Sequence, residues 1–120
     1  MSEMIEVHDK HDYVLVEFVG EFNVEAAKQT IDRAVQACAE YGQPAVLLDC
    51  RKMTGSLSIM DRFQVAVYGQ TSIGKIARLA LVRRPDADPP DRFVETVAVN
   101  RGINLKLFTD IEQAIEWLRS

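Results

Sequence analysis

The chain is poor in the residues that most often carry chemistry. Among 120 residues it has two cysteines, two histidines and one tryptophan. It contains no Gly-x-Ser-x-Gly elbow, Walker loop, Gly-x-Gly-x-x-Gly or Cys-x-x-Cys, so the common signatures of acyl transfer, nucleotide binding and dithiol redox work are missing. No enzyme is expected, and no cofactor. Apolar runs such as Ala45–Leu48 and Leu79–Val82 are strand length, far below the roughly 20 residues of a bilayer-spanning helix. No integral membrane segment is therefore expected. The opening MSEMIEVHDKHDYV puts acids where a secretory peptide carries bases and has no apolar centre, which makes a cytoplasmic protein the expectation. Bases are also in the minority: 14 Lys and Arg against 18 Asp and Glu leave a net charge of −4, which argues against nucleic acid as a partner.

What remains is a globular balance of 48% hydrophobic and 27% charged residues, enough for one core and a single domain over residues 1–120. Met4–His8 and Tyr13–Val19 have strand patterns, separated by the polar Asp9-Lys-His-Asp12, and read as an antiparallel hairpin. Asn23 is a helix cap, and Val24, Ala27, Ile31, Ala34, Val35 and Cys38 recur at helical spacing behind it until Gly42 and Pro44. Ala45–Cys50 is apolar without alternation, as in a parallel strand covered on both faces. Cys38 and Cys50 thus read as buried free thiols.

A polar loop, Arg51–Ser58, leads to a second helix capped by Ser58, with Ile59, Phe63, Ala66 and Val67 as its expected buried stripe. Ile76–Val82 is another buried strand, followed by the proline-rich 83–90. Asp91 caps a third helix that closes at Arg101-Gly102. Asn104–Phe108 alternates like an edge strand, and Thr109-Asp-Ile-Glu112 is a capping box for the last helix. The order ββαβαβαβα implies an α/β fold: a mostly parallel five-stranded sheet with an N-terminal antiparallel hairpin, flanked by four helices.

This order resembles the STAS fold of anti-sigma-factor antagonists and sulfate-transporter tails, and more closely the small stand-alone bacterial STAS/SEC14-like proteins. The resemblance rests on Val16–Gly20 before a long helix, Val46–Arg51 with Gly55 soon after, Arg78–Val82, Arg101-Gly102 leading to Leu107-Phe108, and Glu112–Leu118. It implies a regulatory, non-catalytic module. In anti-sigma-factor antagonists a serine at the start of the helix after the third strand is phosphorylated, usually within an Asp-Ser pair. Here that stretch, Thr54–Ser58, offers Ser56 and Ser58 without the Asp-Ser pair.

Three sets of residues are candidates for a site, each with a plainer reading beside it. Arg51, Lys52, Arg83 and Arg84 follow the C-terminal ends of two parallel strands, where open α/β sheets place ligands, and could hold an anion. Their plainer reading, as solvated loop charges offset by Asp86, Asp88 and Asp91, has the greater weight, because surface charge clusters are common and worth little. Ser56 and Ser58 are candidate switch residues, although Ser58 also reads as a simple N-cap. Met53, Leu57, Met60 and Phe63, with Ile59, form an apolar set that is either a wide core stripe or a partner or lipid surface.

His8 and His11 with Asp9 and Asp12 offer two histidines around a turn. A metal needs three or four convergent ligands, so no metal site is expected there. Asp86, Asp88 and Asp91 match no calcium-loop spacing. The favoured function is a protein-interaction module acting through residues 51–58 and the helix over 59–70. The alternative is a carrier or sensor of a small anionic or lipid-like ligand. Homodimerisation through the apolar helix or the edge strands is compatible with both.

Overall fold

Alternating apolar residues build the first two strands of the computed structural model, which describes residues 4–55, 57–84, 99–100 and 102–120. Strand β1 (Met4–Asp9) pairs antiparallel with β2 (Val14–Glu21), from Met4 against Val19 to Asp9 against Val14. In the turn, the Asp9 carboxylate accepts from the His11 N–H at 2.9 Å, and His11 takes a φ of 73°. An Asx turn of this kind is what short acidic side chains favour.

Asn23 then caps helix α1 (Val24–Tyr41), accepting from the Ala26 N–H at 2.8 Å. The helix stops at Gly42, whose φ of 66° a side chain would strain. Its buried residues are Ala26, Ala27, Thr30, Ala34, Ala37 and Cys38, so the inner face is rotated relative to the expected stripe, with Val24, Ile31 and Val35 at its margins. Small side chains win the centre because they let the helix axis approach the sheet closely. Thr30 is tolerated there because its hydroxyl donates to the Ala26 carbonyl at 2.8 Å.

Strand β3 (Ala45–Thr54) runs parallel to β2 and to β4 (Arg78–Val82), and β5 (Leu105–Phe108) adds parallel to β4. The described strands form one five-stranded sheet in the order β1-β2-β3-β4-β5. On one face, Val14, Val16, Val46, Leu48 and Cys50 pack with Ala34, Ala37 and Cys38 of α1. On the other, Tyr13, Ala45, Leu47, Ala80 and Val82 pack with Ala114 and Leu118. Those last two belong to helix α3 (Ile111–Arg119). Helix α2 (Ile59–Tyr68) leads into a 3-10 turn, Gly69–Ser72.

Three α-helices lie among the described residues. The fourth expected helix, from Asp91, falls outside them, as do Ser56, Asp86, Asp88 and Arg101. Its expected stop is visible at Gly102, which has a φ of 86° and donates to the Val99 carbonyl at 3.0 Å. Helix α3 is capped one residue later than the capping box suggested. Asp110 accepts from the N–H groups of Glu112 and Gln113, because a carboxylate serves a helix amino terminus better than the Thr109 hydroxyl. At the other end, Arg78 donates to the Trp117 carbonyl at 2.8 Å and stacks over its ring, tying the last turn to β4.

Asn23→Ala removes the side-chain acceptor that caps the α1 amino terminus. It is expected to lower stability by about 1 kcal/mol in urea unfolding, with the slope of the transition unchanged.

Candidate functional site

The carboxyl end of β3 carries one more residue than its neighbour. Glu17 opposes Asp49, but Val19 opposes Lys52, so β3 bulges between them. The bulge brings Asp49, Arg51 and Lys52 together on the face that α3 covers elsewhere. Asp49 is buried and therefore needs a partner. Arg51 supplies a two-pronged one: Nε to Oδ1 at 2.9 Å and a terminal nitrogen to Oδ2 at 2.9 Å, with its own backbone N–H to Oδ1 at 3.1 Å. Burial opposes ionisation of Asp49. The Arg51 hydrogen bonds and the charges of Arg51 and Lys52 outweigh it and hold the carboxyl below its ordinary value.

The expected loop from Arg51 is thus strand as far as Thr54, and the chain turns at Gly55, whose φ is 79° and whose added Cβ would meet the Glu21 side chain at 3.4 Å. Ser58 then caps α2 as expected, accepting from the Asp61 N–H at 3.1 Å.

Helix α2 departs from its expected orientation. Arg62, Val65, Ala66 and Gly69 point inward, a spacing of three and four. Ile59, Met60, Phe63 and Val67 are exposed, Ile59 and Met60 by 66% and 68%. At roughly 100° per residue these four span an arc of about 100°, beside the inner face rather than on it. Of the stripe expected to be buried, only Ala66 is. In this rotation Tyr68 donates to the Asp32 carboxylate of α1 at 2.7 Å, and the Lys28 ammonium sits 5.4 Å from the Tyr68 ring. That hydrogen bond, first among its causes, raises the Tyr68 pKa.

Between α2, α1 and the sheet lies a cavity of about 120 Å³, walled by Leu48, Cys50, Leu79 and Leu81 and reached by Arg62 and Arg83. Sites that enclose a drug-sized ligand measure roughly 300–1,000 Å³. Among the described residues its walls are mostly apolar, with room for a small apolar group. Burial pushes the two free thiols up, Cys38 to about 11 and Cys50 to about 12, so neither is a nucleophile at neutral pH.

The candidate residues from the sequence are accordingly divided. Of the four cations, Arg51 is held by Asp49, exposed Lys52 stands on the same face, Arg83 lines the cavity on the opposite face beside Cys50, and Arg84 is exposed. The sheet does not bring Arg51 and Arg83 together. Met53 and Leu57 line the cavity, whereas Met60 and Phe63 face outward. Sequence reasoning missed Asp49 as the Arg51 clamp, although residues two apart on a strand share a face. It also placed Ile59 and Val67 inside.

The sequence profile of a family described as SpoIIAA-like matches residues 13–119. A search of curated proteins gives no match. Among solved structures, an anti-sigma factor antagonist from Mycobacterium paratuberculosis superposes with a TM-score of 0.63 at 17% identity, over 99% of this chain and 96% of its own. An uncharacterised protein with a SpoIIAA-like fold from Shewanella loihica PV-4 gives 0.61 at 20%, over 97% and 93%. The anti-sigma factor antagonist SpoIIAA in its unphosphorylated form gives 0.59 at 16%, over 97% and 96%. These likenesses show the same fold. No helix among the described residues is long and apolar enough to cross a membrane.

The Asp49 clamp has a pH signature. A carboxyl whose pKa is lower in the folded chain contributes stability above its unfolded value near ~3.9, lost as pH falls through the folded value. Asp49→Asn should be less stable than the wild type by about 1–2 kcal/mol at neutral pH, with the gap closing below about pH 4. Urea unfolding across that range checks this; a gap independent of pH would contradict it.

Proposed function

The chain belongs to the SpoIIAA-like family, and from that footing we propose that it is a non-catalytic regulatory module that binds a protein partner. The contact surface is residues 51–58 together with α2. The observation that carries this reading is the outward apolar stripe of α2. Ile59, Met60, Phe63 and Val67 stand exposed on one arc of one helix, and contiguous apolar surface of this kind marks interaction sites. Two of the similar structures are anti-sigma factor antagonists, which supports a partner of the anti-sigma type. The apolar cavity beneath α2, about 120 Å³, is smaller than sites that enclose a drug-sized ligand, so it supports the ligand-carrier alternative less directly than the stripe supports a partner.

Ser58 extends the proposal to regulation. It is exposed, and it caps the helix that carries the stripe. A phosphate there gains from the helix dipole and stands beside Asp61, so it would act on a partner through charge. Arg51 is already engaged by Asp49 and contributes less to holding such a phosphate than an uncommitted arginine would. Ser56 remains a second candidate from the sequence.

The test begins with tagged wild-type protein recovered from its host, identification of the co-purifying partner, and calorimetry with that partner purified. Met60→Asp is expected to weaken binding by about 1–3 kcal/mol, roughly tenfold to a hundredfold, with little change in folding stability because Met60 is exposed. Ser58→Glu should change the same affinity, whereas Ser58→Ala chiefly loses a cap worth about 1 kcal/mol. Unchanged affinity in both Met60→Asp and Val67→Asp would remove α2 from the interface. A concentration-dependent dimer abolished by Met60→Asp would assign the stripe to a second copy of the chain.

A further inference from the structure

A second feature lies across the sheet from α2. Glu6 and His8 are two residues apart on β1 and share a face, and the pairing of the hairpin sets Glu17 directly opposite Glu6. The three side chains converge. His8 Nε2 stands 3.5 Å from Glu6 Oε2 and 3.4 Å from Glu17 Oε1, and the three donor atoms lie within 4.8 Å of one another. Both separations exceed the ~2.7–3.2 Å of an N–H···O hydrogen bond. They are ion-pair distances, and the two measured from the imidazole also fall in the range set by a tetrahedral ion. With bonds of about 2.0–2.2 Å, the ligand atoms around a tetrahedral zinc ion are separated by roughly 3.3–3.6 Å. An octahedral magnesium ion with bonds near ~2.1 Å would need its donors about 3.0 Å apart, and it favours oxygen throughout.

The electrostatics point the same way. Like charges directly opposite each other on antiparallel strands destabilise the pair, and Glu6 opposite Glu17 is such a pair. The Arg51 guanidinium attracts Glu17 but has two of its nitrogens bonded to Asp49. A cation between the two glutamates removes the repulsion that the register imposes. Helix α3 packs on β3, β4 and β5, and this corner of β1 and β2 is open to water: Glu6 and His8 are exposed and Glu17 half-buried.

We propose that Glu6, His8 and Glu17 form a surface site for a divalent transition-metal ion of the zinc type, with water completing its coordination. One imidazole and two carboxylates suit such an ion, and the open position makes it exchangeable. The ion would fasten the edge strand β1 to β2. His11, the other histidine of the hairpin, stands in the turn with a left-handed backbone, outside the cluster.

The test is titration of the full chain with Zn²⁺ by calorimetry at neutral pH, with Co²⁺ as a spectroscopic substitute. One ion per chain and a raised melting temperature are expected. His8→Asn and Glu17→Gln should each weaken binding by roughly tenfold or more, while His11→Asn leaves it unchanged. Without metal, exposed His8→Asn should unfold in urea much as the wild type does, and Glu17→Gln, which relieves the repulsion of Glu6, should be at least as stable, which separates lost ligation from lost folding. The Co²⁺ spectrum should show tetrahedral bands without thiolate charge transfer. Saturation only on the order of millimolar metal, undiminished binding by His8→Asn, loss of binding in His11→Asn, or a thiolate band would each overturn the assignment. So would a cluster that is only an imidazolium held between two carboxylates, recognised by the absence of any metal-dependent heat.

Discussion

Ala45–Cys50 is buried along its whole length, and a strand of that kind needs cover on both sides of the sheet. Val46, Leu48 and Cys50 send their side chains to α1, whereas Ala45 and Leu47 meet α3. Each large side chain buried this way contributes on the order of 1.5–3 kcal/mol, so the two layers of helix are fixed by β3 before any loop is considered. The same constraint explains Asp49. It is the next residue on the α3 face, at the point where helix cover ends, and it is buried deeply enough that its charge requires the Arg51 fork. A bulge at that point lets Arg51 and Lys52 join it on one face.

Covering β3 unevenly leaves two surfaces with distinct character. On the α3 side, cover reaches β3, β4 and β5 and stops short of the upper corner of the hairpin, where the polar residues Glu6, His8 and Glu17 meet. On the other side α2 lies over a small cavity and turns its apolar residues outward. An amphipathic helix ordinarily directs its apolar arc at the core. Here the inward positions belong to Arg62, Val65, Ala66 and Gly69, and Tyr68 bonds to Asp32 of α1 in that rotation. The arc from Ile59 to Val67 is therefore exposed apolar surface.

These two surfaces face away from each other, so partner binding at α2 and metal binding at the hairpin would involve separate residues. Ser58 belongs to the first surface, as cap of α2. Glu17 is the closest link to the β3 clamp, through its attraction to Arg51.

Most of the architecture was legible in the residues. The unbroken apolar run of β3, the Asn23 and Ser58 caps, the Gly42 stop and the hairpin alternation depend on local backbone preferences and burial periodicity, which a sequence carries directly. Less was legible at the sites. Whether Ile59, Phe63 and Val67 are core or surface depends on how a helix is rotated against its neighbours, which involves contacts far apart in the chain, such as Tyr68 with Asp32, 36 residues apart. Arg51 and Arg83 looked like one cationic edge until the sheet put them on opposite faces. The sequence alone determined the cores of the described strands and helices, because that choice is largely local, although it read Arg51–Thr54 as loop where β3 continues. Only the tertiary structure decided which side chains meet, because register, bulge and helix rotation are settled by contacts between segments far apart in the chain.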